Sequence, residues 1–442
     1  MMARVLGICF LCFISIICFG QKEWSNWYFN GRSLLTFKNN NVPQVERNFI
    51  TPAPPIGFSY YYYSDMGMSY SDPVTGVMKF VLGGVLAFDK NYEIINSPSL
   101  LRYCSGDKYG YHIIPFQNNP DKFYIIQFQS VFADMLAAQS GLQVRCPNAI
   151  GLGYSVLDLS LNNGLGNFTS MNNVIQSSTS EGISLVRHAN GKDTWVIVHS
   201  YNDNNFYSYL FSDAGVALPV VTAIGPAVHT DYPGGGSGFI SASHDGKTLA
   251  VRMMNNKFIE LYDFDKLNGR LTSYKNVALT YVPSYLIFSP DDSKLYFMGS
   301  SVGSAISQMD FNAPNIAGSI TSVADDPITN FFDMQLGPDG KIYISRYHDL
   351  NEDKDYLAVI RCPNLPKYAC NYDPKGLELQ FGAGKFPDLV NDFIIQPKAA
   401  PVTEFSLGND TAICFGTYKL SAPVEWQHYR WNTGEITREI NI

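Results

Sequence analysis

The sequence predicts an all-β protein in which a β-propeller is followed by the start of a second, smaller β-domain. Two observations predict the propeller: a turn rich in Pro, Asp and Gly that recurs along the chain, and a short stretch of alternating residues after each turn. A third observation, a proline-containing stretch near residue 397, marks the point where this repetition ends. No amphipathic helical stretch of useful length interrupts the pattern.

The recurring turn is clearest in three copies whose central residues, Asp245, Asp291 and Asp339, are spaced by 46 and 48 positions. Asp and Gly suit such turns because they accept positive φ and side-chain bonds to the backbone. The alternation that follows, as in residues 341–344, directs one face of a strand inward. Looser copies begin at Asp72, Asn119 and Ala189. The period fits a blade of four short strands, and an array of β-sandwiches with coincidental turns is the alternative.

The blade count follows from these turns and from the ends of the repeating region. Six turns predict six blades, and residues 26–37 and 386–395 have strand character without a complete blade around them. Pairing the two segments closes the ring and covers both exposed sheet edges. The sequence therefore favours seven blades over six or eight, in a propeller that spans residues 21–396.

The first twenty residues predict a signal peptide. Arg4 is the only charge before an apolar run from Val5 to Phe19, and the small residues Cys18 and Gly20 suit cleavage before Gln21. A buried core helix and a lipoprotein modified at Cys18 are the alternatives. Because no other apolar run is long enough to span a bilayer, we expect no transmembrane segment in the mature chain.

The charge balance restricts the partners. The chain has 39 acidic and 31 basic residues and a net charge of −8. A nucleic-acid partner is not expected, because phosphate binding requires a basic surface. An anionic membrane surface is disfavoured for the same reason.

The cysteines predict disulfides. Cys362 and Cys370 stand in one proline-containing loop, and a bridge between them suits an exported protein. Cys104 and Cys146 form a second candidate pair, which leaves Cys414 for a partner outside this sequence. A zinc site is the alternative, but neither C-x-x-C spacing nor a nearby histidine pair supports it.

The last part of the chain differs from the propeller region. Residues 397–401 contain two prolines and no periodicity, and we interpret them as a linker. Residues 402–442 contain short strand-like runs separated by turn residues. A segment of this length does not form a stable β-sandwich by itself, so we expect it to be the N-terminal part of a truncated domain.

Several stretches resemble a family of large exported proteins of the Bacteroidetes. They are Asn26-Trp27-Tyr28-Phe29 and residues 153–166, 188–196 and 259–265. In that family a propeller-like region precedes immunoglobulin-like or PKD-like modules. Residues 407–411 with Cys414 and Gly416 resemble the start of such a module, and residues 431–434 resemble its later turn.

The resemblance implies an immunoglobulin-like or PKD-like β-sandwich after the propeller. It also implies export of the type IX secretion kind and an association with gliding motility. The sequence departs from the family at residues 54–57, at the tyrosine run Tyr60–Tyr63 and at Cys362.

Motifs for catalysis or cofactor binding are missing from the sequence. The seven histidines form no H-E-x-x-H, H-x-H or His-carboxylate cluster, so structural hydrogen bonding is the favoured interpretation. The glycine-rich residues 234–238 lack the Lys-Ser/Thr and the helix of a phosphate loop. Calcium stays open at residues 349–355 and at the acidic pairs 291–292, 325–326 and 352–353. We therefore assign no catalytic residue, no cofactor and no metal ligand from the sequence.

Two functions remain after these exclusions. We expect a secreted or cell-surface, non-catalytic protein that binds or adheres to a glycan or a surface protein through one face of the propeller. Residues 132–150 and 230–238 are the expected binding loops, and the exposed aromatic residues are expected to contribute. The alternative is an exported propeller enzyme of the lactonase-like or lyase/hydrolase-like kind, because the fold alone does not decide between the two.

Overall fold

The computed structural model describes residues 22–29, 33–37, 42–46, 67–83, 86–95, 101, 111–129, 151–177, 179–201, 203–227, 238–253, 256–300, 304–326, 331–346, 355–379, 386, 419–421 and 437–441. The chain divides into two compact units, Met1–Gln396 and Pro397–Ile442. The boundary coincides with the start of the proline-containing linker in the sequence. The predicted signal peptide lies outside the described residues.

The first unit is built from antiparallel sheets that follow one another along the chain. We number them as blades. Blade 1 contains β1 (Asn26–Phe29), β2 (Ser33–Thr36) and β3 (Gln44–Glu46); blade 2 contains β4 (Gly67–Ser71), β5 (Met78–Gly83) and β6 (Leu86–Asp89). Blade 3 contains β7 (Tyr111–Pro115), β8 (Lys122–Gln129), β9 (Gly151–Asp158) and β10 (Asn167–Gln176). Blade 4 contains β11 (Thr179–Arg187), β12 (Thr194–Ser200), β13 (Asn205–Ser212), β14 (Gly215–Val216) and β15 (Val220–Ala223).

Three four-stranded blades complete the unit. Blade 5 contains β16 (Gly238–Ala242), β17 (Thr248–Met253), β18 (Phe258–Asp265) and β19 (Arg270–Ala278). Blade 6 contains β20 (Pro283–Phe288), β21 (Lys294–Ser300), β22 (Ser304–Asp310) and β23 (Thr321–Asp326). Blade 7 contains β24 (Phe331–Leu336), β25 (Ile342–Arg346), β26 (Asp355–Ile360) and β27 (Tyr372–Leu379). Among the described residues, three short 3-10 turns, at Asn162–Gly164, Ala317–Ser319 and Lys367–Cys370, lie in the connections.

The arrangement is a seven-bladed propeller, as the sequence predicts. Blades 1 and 2 are linked into one six-stranded sheet, but only through the pair Tyr28 and Gly67. The first strands of neighbouring blades contact one another, as β11 does with β16 and β16 with β20, which places them innermost. Burial agrees, because every residue of β16 is buried whereas most of the fourth strand, β19, is exposed.

The ring closes between blades 7 and 1 through aromatic side chains. The Trp27 ring lies 5.6 Å from the Tyr343 ring and 5.5 Å from the Phe386 ring, and Phe37 lies 5.8 Å from Tyr343. The Phe386 amide donates to the Asp333 carboxylate at 3.0 Å. The two ends of the propeller region therefore meet at Trp27 and Phe386, and the rest of the predicted closing segment, residues 387–395, lies outside the described residues.

The six recurring turns all occupy the same place in their blades. Each connects the first strand to the second, at 72–77, 116–121, 188–193, 243–247, 289–293 and 337–341. Because strands alternate in direction, these turns and the third-to-fourth-strand turns lie at one end of the ring, which we call the turn end. The connections between second and third strands, and those that follow a fourth strand, leave from the opposite end, which we call the loop end.

The second unit is described only in part. β28 (Lys419–Ser421) and β29 (Glu439–Asn441) form a two-stranded antiparallel sheet in which Leu420 pairs with Ile440. The immunoglobulin-like or PKD-like domain stays a prediction, because residues 407–416 and 431–434 lie outside the described residues.

Candidate functional site

The turn end is tied together by polar contacts between blades. The Asp292 carboxylate of blade 6 accepts hydrogen bonds from the His244 amide at 2.7 Å, from His244 Nδ1 at 2.8 Å and from the Asp245 amide at 2.9 Å, all in blade 5. The Asp213 carboxylate of blade 4 accepts from the amides of Gln117 and Asn118 in blade 3, at 2.8 and 2.7 Å. In both cases a carboxylate binds the first turn of the preceding blade.

Three further seams are linked at the same end. The Lys79 ammonium of blade 2 binds Asp121 of blade 3 at 2.8 Å. The Lys266 carbonyl of blade 5 accepts from the Ala189 amide and from Trp195 Nε1 of blade 4, at 3.1 and 2.9 Å. Every seam from blade 2 to blade 6 is therefore bridged at the turn end, and the seam between blades 6 and 7 is bridged by the cysteine-containing loop.

That loop reaches from blade 7 onto blade 6. The Tyr296 hydroxyl donates to the Pro363 carbonyl at 2.8 Å, and Gln308 Nε2 donates to the Leu365 carbonyl at 2.9 Å. The Cys362 amide donates to the Cys370 carbonyl at 2.9 Å. With standard bond lengths this contact keeps the two Cα atoms within about 6.8 Å, a separation that a disulfide can span.

Of the predicted cysteine pairs, the structure describes only Cys362 and Cys370. Cys362 is exposed and Cys370 is buried, and both are free thiols in this structure, so their bridge stays a prediction. Burial raises the pKa of the Cys370 thiol. Cys104, Cys146 and Cys414 lie outside the described residues.

The loop end carries the longest connections of the propeller. Residues 47–66, 130–150 and 224–237 each join strand ends on this side of the ring, whereas residues 96–110 come after β6, which ends at the turn end, and lead to the start of β7 at the loop end. The connections at the turn end are shorter; the longest, 361–371 and 311–320, contain 3-10 turns. The predicted binding loops 132–150 and 230–238 belong to the loop end, and apart from Gly238 they lie outside the described residues, as does Tyr60–Tyr63.

Aromatic residues stand at the loop-end starts of the inner strands. Tyr111 opens β7, Phe239 is second in β16, Tyr285 is third in β20 and Phe331 opens β24. The rings of Phe239 and Tyr285 meet edge to face at 5.9 Å. Tyr285 and Phe331 are partly exposed, so the loop-end mouth offers aromatic surface.

A buried carboxyl group lies near the loop end of the seam between blades 4 and 5. Glu260, the third residue of β18, is only 1% exposed, and its Oε2 accepts a hydrogen bond from the Tyr262 hydroxyl at 2.7 Å. Among the described residues, Glu260 Oε1 has no hydrogen-bond partner. Burial raises the pKa of Glu260 to about 7, and the bond from Tyr262 only partly opposes this.

Blade 4 covers the Glu260–Tyr262 pair. The Phe206 ring lies 5.1 Å from the Tyr262 ring and 4.4 Å from the His199 ring. A Cβ on Gly225, which has φ of 80°, would stand 2.1 Å from the Tyr262 hydroxyl oxygen, so only glycine fits against it. Burial lowers the pKa of His199 to about 4, so the ring is neutral at neutral pH.

His188, His199 and His244 have hydrogen-bonding partners within the fold. His188 Nε2 contacts the Leu267 carbonyl at 3.1 Å, and His199 Nδ1 contacts the Ser200 carbonyl at 2.6 Å. His244 binds Asp292, as described above. Within the part of the chain that the structure describes, no three His, Cys, Asp or Glu side chains group together to hold a metal.

Most of the residues that the sequence offers for calcium either lie outside the described residues or have hydrogen-bond partners within the fold. Residues 349–354 lie outside the described residues. The Asp291 carboxylate accepts from the Ser289 hydroxyl and the Ser293 amide, and the Asp292 carboxylate is taken by His244 and Asp245. Both carboxylates of this pair therefore accept hydrogen bonds that stabilise the turns.

In the described residues, no helix is long and apolar enough to cross a membrane.

Comparison with known proteins gives structural likeness without a family. No protein-family profile matches the chain, and no curated protein matches its sequence. Among solved structures, a Lactobacillus plantarum protein matches with 12% identity and a TM-score of 0.45, over 82% of this chain and 97% of its own. The periplasmic gluconolactonase of Pseudomonas aeruginosa matches with 11% identity and a TM-score of 0.38, over 70% and 93%. Likenesses this distant carry no functional assignment, and the blade count comes from this chain's own strand pairing.

Sequence reasoning missed the Glu260–Tyr262 pair. A signal was present, because Glu260 occupies the same strand face as Phe258, Tyr262 and Phe264, where an apolar residue is expected. A charge at an inward position indicates a buried ionisable group.

Proposed function

We propose that this protein is an exported, non-catalytic binding protein that recognises a glycan or a surface protein at the loop end of its propeller. The observation that carries the proposal is the difference between the two ends. The turn end is bridged between blades by short turns and carboxylates, whereas the connections 47–66, 130–150 and 224–237 join strand ends at the loop end. Binding residues concentrate on loops held by a rigid scaffold, and this division provides that arrangement.

The chemistry of the loop end supports a neutral or basic partner. Aromatic rings at the mouth, such as Tyr285 and Phe331, can stack on sugar rings or on partner side chains. The net charge of −8 disfavours polyanions. Export rests on the signal-like residues 1–20, and surface display by a type IX route with PKD-like modules rests on the family resemblance.

The binding test uses the exported chain and loop replacement. Purified mature protein is screened against a glycan array and against surface proteins. In the test variant a two-residue Asn-Gly turn replaces residues 130–150, and the control variant, L267D, changes an exposed residue at the turn end. We expect the replacement to abolish binding and L267D to leave it unchanged. Equal binding by the replacement variant, or loss of binding in L267D alone, contradicts the proposed face.

The enzyme alternative makes a separate prediction. A carboxyl with a near-neutral pKa beside a tyrosine is chemically suited to proton transfer, and Glu260 is such a group. Its 1% exposure, however, keeps it from contacting a substrate in this conformation. Hydrolysis of a lactone panel by the wild type, abolished in E260Q, would establish the enzyme and reject the non-catalytic proposal.

A further inference from the structure

The seam between blades 4 and 5 contains its own apolar cluster, distinct from the main core. Blade 4 contributes side chains such as Ile197 and Phe206, and blade 5 contributes others such as Val251 and Tyr262. Because this cluster is separate, the seam can open locally without disrupting the packing of the other blades. Glu260 faces the cluster from β18, opposite Val251 of β17.

The Tyr262 side chain packs between Glu260 and blade 4. It donates to Glu260 Oε2 and lies against Gly225, whose carbonyl accepts from Asn204 Nδ2 at 3.1 Å. The neutral carboxyl can remain in this closed site, because a neutral group loses little solvation there. An ionised carboxylate is far more costly in the same place and is relieved only when water reaches it.

No neighbouring charge compensates an ionised Glu260. The packed elements carry titratable groups, among them Arg252 on β17, Tyr274 and Lys275 on β19, His199 on β12 and Asp203 before β13. Burial raises the pKa of the Glu260 carboxyl, and the hydrogen bond from Tyr262 lowers it. The seam therefore offers no counter-ion among the described residues.

We propose that Glu260 is a proton-binding site that controls opening of the seam between blades 4 and 5. With the proton bound, the neutral carboxyl stays buried and the seam is closed. When the proton leaves, the seam opens at the loop end and hydrates the carboxylate. The turn-end bridge through the Lys266 carbonyl holds the other end of the same seam in place.

The direction of the pH effect follows from the pKa. Because the folded pKa of Glu260, about 7, exceeds the ordinary value of 4.5, the folded state binds the proton more tightly. The stabilisation is complete below pH 4.5 and is lost as the pH rises to 7. The two pKa values correspond to an about 300-fold change in the folding equilibrium constant.

The test compares four proteins: wild type, E260Q, Y262F and D263N. Gln keeps the shape of the protonated side chain without titrating. D263N is the matched control, because Asp263 is exposed on the same strand. Carbon NMR of labelled Glu carboxyls gives the titration midpoint of Glu260, and hydrogen exchange of β12, β13 and β18 at pH 5.5 and 8.5 reports opening of the seam.

In the wild type we expect the Glu260 carboxyl to titrate with a midpoint near 7. We also expect hydrogen exchange in the three strands to be faster at pH 8.5 than at pH 5.5 by more than the intrinsic effect of pH on exchange. E260Q is expected to lack that rise, and D263N to keep it. Y262F is expected to raise the midpoint, because the Tyr262 bond favours the ionised form. A midpoint near 4.5, or the same rise in E260Q as in wild type, overturns the proposal; if E260Q does not fold, the midpoints of wild type and Y262F decide alone.

Discussion

Replacing Asp292 by glycine tests whether the turn-end bridges stabilise the ring. The substitution removes an acceptor that binds His244 N, His244 Nδ1 and Asp245 N at 2.7, 2.8 and 2.9 Å. Hydrogen bonds to a charged group contribute about 1.5–3 kcal/mol each. The Asp245 amide can be hydrated because its turn is at the surface, whereas His244 is 8% exposed. We therefore expect a loss of about 3 kcal/mol in the free energy of unfolding, less than three full bonds.

Glycine is the informative replacement because Asp292 has φ of 60°. Alanine would add backbone strain there, whereas the relief of strain and the added chain entropy of glycine nearly cancel, at about 1 kcal/mol each. The control is S273G, at an exposed β19 position with φ of 56°. Urea unfolding, followed by tryptophan fluorescence, gives both free energies. A difference below about 0.5 kcal/mol between D292G and S273G would refute the stabilising role of the carboxylate.

Other predictions concern export, oxidation and pH. The exported protein should begin near Gln21, which intact mass measures; a cytoplasmic full-length chain in the native host contradicts it. Peptide mapping without reduction should find Cys362 joined to Cys370, whereas two alkylated thiols contradict the bridge. Burial lowers the pKa values of His112 and His199 to about 3 and about 4. Their neutral forms therefore contribute stability that is complete above pH 6.5, and the free energy of unfolding should decrease as the pH falls below 6.5. Each histidine should lower the free energy of unfolding by about 2 kcal/mol at pH 5. Urea unfolding of E260Q measures this effect, because that variant lacks the opposing titration of Glu260. A free energy of unfolding that is unchanged from pH 7 to 5 contradicts the prediction.

The repeating turns of the propeller, and from them its seven blades, could be predicted because the signals are local. In the turn at Asp245, the carboxylate accepts from the Ser243 hydroxyl and the Lys247 amide, both within two positions. Such a turn needs no distant residue, so its sequence identifies it. The same holds for Asp291, which accepts from Ser289 and Ser293.

The bridges between blades could not be predicted from the same residues. Asp292 and His244 are 48 positions apart, and nothing in either turn specifies which carboxylate faces which amide. The spacing of Cys362 and Cys370 predicts that the two residues lie close together. The hydrogen bond from Tyr296 to their loop depends on how two blades pack, which the spacing does not show. Long-range side-chain partners follow from the assembled ring, because the turn sequence sets only the local fold.

The two ends of one seam have different freedom to move. Between blades 4 and 5, Lys266 holds Ala189 and Trp195 at the turn end through neutral hydrogen bonds that do not depend on pH over the neutral range. Near the loop end, the buried Glu260 carboxyl lies within blade 5, and the cost of keeping it covered by blade 4 depends on pH. Opening of this seam must then pivot on the turn end and widen towards the connection 224–237 that leaves blade 4. The pH-sensitive contact therefore acts at the same end of the ring as the proposed binding surface.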